Sequence, residues 1–147
     1  MAELHLKGYL CNDTDGIVAL REYKTEDECP SYFDKYGNSI IDNIFDFASE
    51  YGMLGKHHSG LGGRRAIIDD CNLRVWFTDT ECSLEEAMLS LDNLMYGGDI
   101  QTKVTRVGYS EYTITGLNLN EFSIGGHDLK YELADHYGEY CHIIIEC

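Results

Sequence analysis

The stretch "CHIIIEC", residues 141–147, contains three successive isoleucines and anchors the fold prediction. A strand with one wet face alternates apolar and polar residues, whereas an unbroken β-branched run is typical of a strand buried on both faces. We therefore expect residues 141–147 to form a buried strand of a sheet.

Outward from this strand, the pattern predicts strand–strand–helix three times before residue 141. The predicted strands are residues 2–11, 17–23, 65–69, 73–79, 100–107 and 112–119, and the predicted helices are residues 38–52, 83–97 and 126–138. Short turns join the paired strands, "DCN" at residues 70–72 among them, which favours antiparallel pairing. The sequence predicts one α+β domain over residues 1–147, with a mainly antiparallel or mixed sheet of about seven strands. We expect its three helices to cover one side of the sheet.

Two of these helices carry end signals and apolar stripes. Asn38 or Ser39 is a candidate cap of the first helix, and Ser83 and Glu86 have the spacing of a capping box before the second. The stripes at helical spacing are Ile41, Ile44, Phe45 and Ala48 in the first helix, and Leu84, Met88, Leu91 and Met95 in the second.

The net charge of the chain favours one class of binding partner. The 147 residues include 26 acidic and 11 basic side chains, a formal net charge of −15. Contacts to phosphate are normally made by Lys and Arg, so direct binding of nucleic acid is not expected and a basic partner is favoured. The absence of a leader pattern and of a long apolar run predicts a cytoplasmic protein that does not enter membranes. Its six cysteines, none at CxxC spacing, are expected to be thiols.

Carboxylates recur at helical intervals on all three predicted helices. The candidate partner-binding residues are Asp42, Asp46 and Glu50, Glu85 and Asp92, and Asp128 and Glu132. Two interpretations remain open: ordinary solvated helix faces, or one coherent row of anions that imitates the phosphates of a nucleic acid and enters a basic groove.

A glycine-rich cationic loop, residues 52–65, interrupts the acidic chain. It ends in "GKHHSGLGGRR", and Arg64 and Arg65 are secondary candidates for partner contact. The P-loop order GxxxxGK[ST] is absent, and the glycines precede a predicted strand instead of a helix. Anion binding, partner contact and a plain flexible connection all remain open for this loop.

No catalytic, cofactor or metal-binding pattern is expected. The pair His127 and Asp128 lacks the further ligands that a metal phosphohydrolase needs, and GxSxG and HExxH do not occur. The sequence thus favours a non-catalytic inhibitor of a basic nucleic-acid-handling protein such as a nuclease, of the anti-CRISPR, antirestriction or nuclease-immunity type. The alternatives are an anion- or nucleotide-binding enzyme that uses the loop, and a structural, self-associating phage protein. The oligomeric state is left open.

Overall fold

A computed structural model gives the fold of the chain. It describes residues 3–12, 18–31, 37–50, 65–66, 71–96, 104, 106–114, 117–118, 123–124 and 127–146. The main sheet has six strands, which in spatial order are β3 (Asn38–Ser39), β2 (Val18–Arg21), β1 (Glu3–Asn12), β10 (Tyr140–Glu146), β5 (Cys71–Thr78) and β6 (Val107–Ile114). A second sheet has the order β4 (Arg65–Ala66), β7 (Leu117–Asn118), β8 (Ser123–Ile124) and β9 (His127–Asp128).

Each strand pair among the described residues is antiparallel. The helices are α1 (Ile40–Glu50), α2 (Leu84–Tyr96) and the single turn α3 (Leu129–Glu132). The predicted α+β class with a mostly antiparallel sheet is therefore confirmed. The main sheet has six strands instead of about seven, and only two described helices are longer than one turn.

Strand β10 is the centre of the main sheet. It pairs with β1 along one edge and with β5 along the other, and residues 140–145 are all buried. The isoleucine run thus predicted a doubly buried strand correctly. Its burial has a simple cause, because alternate side chains of β10 enter two different apolar cores.

The two cores lie on opposite faces of the sheet, each under one helix. Ile143 and Ile145 of β10 belong to the core that contains Ile44 of α1, whereas Ile144 belongs to the core that contains Ala87 of α2. Successive strand residues point to opposite faces, so α1 and α2 cover opposite sides. The expectation that the helices cover one side of the sheet is wrong. Strand β10 has apolar side chains on both faces, and each face is covered by a helix.

Helix α1 begins at a serine cap. The backbone N–H of Asp42 donates to Ser39 Oγ at 3.3 Å, which satisfies one of the free donors of the first turn. Ile40, Ile44 and Phe47 are the described side chains of α1 that are buried in the core. Of the predicted stripe, Ile44 is confirmed, and the side chains of Ile41, Phe45 and Ala48 lie outside the described part.

Helix α2 begins at the predicted capping box. The backbone N–H of Glu86 donates to Ser83 Oγ at 3.1 Å, and the Ser83 hydroxyl donates to Glu86 Oε1 at 3.4 Å. Leu84, Met88 and Leu91 pack against the second core as predicted. Met95 does not, because it is 64% exposed in the last turn of the helix.

Two other predicted elements are replaced by hydrogen bonds that the helix and strand patterns do not specify. The helix predicted over 126–138 is replaced by α3 and a short 3-10 helix at Ala134–His136, and His127 and Asp128 form β9, which pairs with the neighbouring β8. The strand over 100–107 is wrong at Val104 and Arg106, which precede β6. There, the backbone N–H of Arg106 donates to Asp79 Oδ1 at 3.2 Å instead of to a strand.

Local turns were also misplaced. The strand predicted over 112–119 is divided between β6 and β7, which belong to different sheets. The predicted turn at 70–72 is wrong at Cys71 and Asn72, which pair with β6 as part of β5. Strand β4 pairs with β7 instead of β5. Four cysteines whose side chains the structure describes are not in disulfide bonds; they are Cys11, Cys29, Cys82 and Cys141.

Candidate partner-binding surface

The outer side of α1 carries a row of three exposed carboxylates, Asp42, Asp46 and Glu50. At 3.6 residues per turn, Asp42 lies about 200° around the helix from Ile40, and Asp46 lies at the same angle from Ile44. Because the opposite side of the helix packs against the core, the row faces away from the core. Four residues of helix rise separate neighbouring members by about 6 Å along the axis.

The row is not neutralised within its own helix. Residues 40–50 contain no Lys or Arg. Among the described residues, Asp46 and Glu50 have no cation within ion-pair distance, and the ion pairs that the structure shows use Glu139 and Glu146 instead. Glu50 also ends the helix, where the macrodipole disfavours a negative charge. This arrangement lowers the stability of α1 and, within the described part of the chain, leaves Asp46 and Glu50 without an ion-pair partner.

Glu132 lies on the α1 side of the sheet. It is exposed at the end of α3, and the next residue, Leu133, is buried in the same core as Ile44. Its carboxylate acts on Tyr112 of β6: burial raises the pKa of the Tyr112 hydroxyl, and the negative charge of Glu132 raises it further. The α1 side thus presents a fourth candidate carboxylate.

The structure separates the other two helical candidates from this group. Glu85 and Asp92 are both exposed on α2, which covers the opposite face of the sheet. The candidate carboxylates of α1 and of α2 therefore lie on opposite faces of the sheet. Below, "the α1 surface" means Asp42, Asp46, Glu50 and Glu132.

The remaining candidates are only partly placed. Asp128 belongs to β9 and Arg65 to β4, but the side chains of both lie outside the described part. Arg64 and the rest of the loop at 52–64 also lie outside it. The structure therefore does not test the loop as a binding element.

A polar cluster that sequence reasoning missed lies on the α2 side. His142 is 1% exposed in β10. Its Nδ1 lies 3.0 Å from His5 Nε2, and its Nε2 lies 2.7 Å from the backbone carbonyl oxygen of Cys82. Burial, followed by the negative charge of Glu81, raises the pKa of neighbouring Tyr140 to about 12. The histidines are 137 residues apart, so only the register of β1 with β10 reveals the cluster.

Other kinds of site are not evident in the described part of the chain. No group of three or more His, Cys, Asp or Glu side chains there is arranged to hold a metal ion. None of the described helices combines the length and the apolar character needed to cross a lipid bilayer.

Comparisons with protein-family models, with characterised proteins and with solved structures find no match for this chain.

Proposed function

We propose that the protein is a non-catalytic inhibitor of a basic nucleic-acid-handling protein, of the anti-CRISPR, antirestriction or nuclease-immunity type, acting in the cytoplasm of the host cell. The α1 surface occupies the site at which the partner binds the phosphate backbone. The observation that carries this proposal is the row Asp42, Asp46 and Glu50, exposed on one side of one helix without a basic residue between its members.

The spacing and charge of the row suit a cationic groove. Side chains of Lys and Arg that track a nucleic-acid backbone meet one negative charge after another, and a helix with a carboxylate on each turn offers a comparable series. Glu132 extends the negative field on the same side of the sheet. With a net charge of −15, the protein attracts a basic partner over a distance of about one Debye length, roughly 10 Å at moderate salt.

The direct test is competition with DNA. Purified Cas-type nucleases, restriction endonucleases and toxin nucleases are each mixed with labelled duplex DNA and increasing amounts of the protein. DNA binding and cleavage are then followed at several salt concentrations. We expect one of these enzymes to lose both activities, with an inhibition constant that rises steeply with salt.

A pair of charge-matched variants assigns the effect to a surface. Asp46→Lys with Glu50→Lys changes the α1 surface, whereas Glu85→Lys with Asp92→Lys makes the same change of net charge on the opposite face. The first variant is expected to weaken inhibition by at least about tenfold, which corresponds to about 1.4 kcal/mol. The second should stay close to the wild type. Equal weakening by both variants would mean that total charge, and not the α1 surface, drives binding.

Failure to inhibit any enzyme of the panel would count against the proposed class. Inhibition that survives the change of Asp46 and Glu50 would move the contact to another surface.

A further inference from the structure

The buried histidine of β10 is the end of a hydrogen-bonded chain that reaches the surface. His142 Nε2 lies 2.7 Å from the Cys82 carbonyl oxygen, and His142 Nδ1 lies 3.0 Å from Nε2 of His5, which is exposed. A carbonyl oxygen only accepts hydrogen bonds, so His142 Nε2 must carry a hydrogen. In the neutral ring, Nδ1 is then an acceptor, and His5 must donate to it through its own Nε2–H.

This arrangement accepts one proton but not two. A proton on His5 Nδ1 leaves the donated hydrogen bond intact. A second proton, on His142 Nδ1, places two N–H groups against each other at the 3.0 Å contact and removes the hydrogen bond. The doubly protonated pair is therefore incompatible with the closed arrangement.

The charged surroundings also disfavour protonation. Burial is the main reason that the pKa of each histidine lies below its ordinary value, and the ammonium of Lys7 on β1 lowers both further. Glu3, also on β1, raises the pKa of His5 as a weaker influence. The other aromatic groups at His142 are Tyr140 of its own strand, in an edge contact with centroids 5.3 Å apart, and Trp76, its pairing partner on β5.

Among the described strands, the part of β1 that carries His5 is paired on one side only, and its Leu4 and Leu6 pack against the first core. Residues 3–9 of β1 pair with β10, but β2 pairs only with residues 9–12. Beyond Arg21, where β2 ends, a groove of about 660 Å³ lies beside Lys7 and Gly8. Within the described part of the chain, residues 3–7 therefore have a single neighbouring strand.

We propose that the His5–His142 pair is an acid-operated latch. Its double protonation releases residues 3–7 of β1 from β10, while the rest of the sheet remains folded. When residues 3–7 are released, His142 and one edge of β10, the central strand, become exposed. The inference does not depend on the identity of a partner or on the α1 surface.

The expected size of the effect follows from proton counting. The released state binds two protons with ordinary histidine pKa values near 6.5, whereas the closed state binds at most one. One excluded proton favours release by at least roughly thirtyfold at about pH 5, relative to about pH 7.5, where both states are mostly unprotonated.

Hydrogen–deuterium exchange with mass spectrometry measures this release. Protection of a peptide that covers residues 3–7 is compared with that of a peptide from β5, after correction for the pH dependence of intrinsic exchange. We expect protection of residues 3–7 to fall by roughly thirtyfold between about pH 7.5 and pH 5, and that of β5 to change much less.

Three variants separate the latch from a general acid effect. His5→Gln keeps a donor at the position of Nε2, and its amide can rotate to offer oxygen to protonated His142, so its protection should fall much less with acid than that of the wild type. His5→Leu should release residues 3–7 at both pH values. His136→Gln, a change at a histidine bonded to Glu139, should retain the wild-type response.

The proposal is overturned if wild-type protection of residues 3–7 changes less than about threefold, or if β5 loses protection equally. It is also overturned if His5→Gln responds to acid as strongly as the wild type does. The comparison of wild type with His5→Gln decides the matter even if His5→Leu does not fold.

Discussion

Replacement of Asp46 by lysine is expected to stabilise the protein while it weakens the proposed inhibition. Asp46 lies four residues after Asp42 and four residues before Glu50, and all three side chains are exposed on the outer side of α1. The wild-type helix therefore contains two like-charge pairs at helical spacing. A lysine at position 46 removes both repulsions and introduces two attractions.

The magnitude follows from helix pair energies. Each pair is worth about 0.2–0.5 kcal/mol, and each changes sign, so four increments amount to ~1–2 kcal/mol at low salt. The new attraction toward Glu50 has the less favourable orientation, with the cation N-terminal to the carboxylate, which places the expected gain near ~1 kcal/mol. For a chain of this length, that gain raises the unfolding temperature by about 3 °C.

Thermal unfolding followed by circular dichroism at about 20 mM and about 0.5 M NaCl is the assay. Asp92→Lys is the matched control, because it has the same change of residue type and charge on α2. Its neighbours three and four residues away are uncharged: Met88, Leu89, Met95 and Tyr96. The gain for Asp46→Lys should exceed that for Asp92→Lys at low salt and should mostly disappear at high salt. Equal gains, or a gain that persists in salt, would refute the reasoning.

Four further outcomes are expected. Ile44→Ala removes a fully buried side chain of α1 and should lower the free energy of unfolding by about 2–5 kcal/mol in urea titrations. Ser83→Ala removes the cap of α2 and should cost about 0.5–2 kcal/mol in the same assay. Gly37→Ala should destabilise the protein in thermal melts, because Gly37 has φ of +64° and an added Cβ would lie 2.5 Å from the Leu20 carbonyl oxygen. Because burial lowers the folded-state pKa of His142, the unfolded chain binds more protons below about pH 6.5, so stability measured by urea unfolding should fall as the pH decreases from there.

The opposing effects expected of Asp46→Lys connect the fold with the proposed function. A row of like charges that lowers helix stability is retained more readily where binding needs it, since binding surfaces are often not optimal for stability. The double change of Glu85 and Asp92 alters the net charge equally but relieves no such row. Comparison with the double change of Asp46 and Glu50 therefore separates the effect of net charge from the effect of the row.

Local chemistry made several features of this protein predictable. The isoleucine run at 143–145 indicated a doubly buried strand because β-branched residues without polar interruption leave no face for water. Ser39 and Ser83 indicated helix starts because a hydroxyl satisfies backbone donors in the first turn, whatever the helix packs against. These signals depend on residues within about one turn of each other, and the structure confirms them.

Hydrogen-bond partners that the local pattern does not specify decided the rest. His127 and Asp128 have a helical context in sequence, but their backbone groups pair with β8, and the N–H of Arg106 bonds to Asp79 instead of extending a strand. Such hydrogen bonds override local propensity, because propensity is a weak preference that tertiary context outweighs.

The sequence by itself determined that α1 has a buried side and a carboxylate side, since helical periodicity fixes the angles between residues. Only the tertiary structure decided that Asp46 and Asp92 lie on opposite faces of the sheet, and that His5 meets His142 across a separation of 137 residues. The physical reason is that periodicity indicates which side of an element is buried, but not which face of which sheet that side packs against. That choice depends on strand register and on both faces of β10 being covered at once.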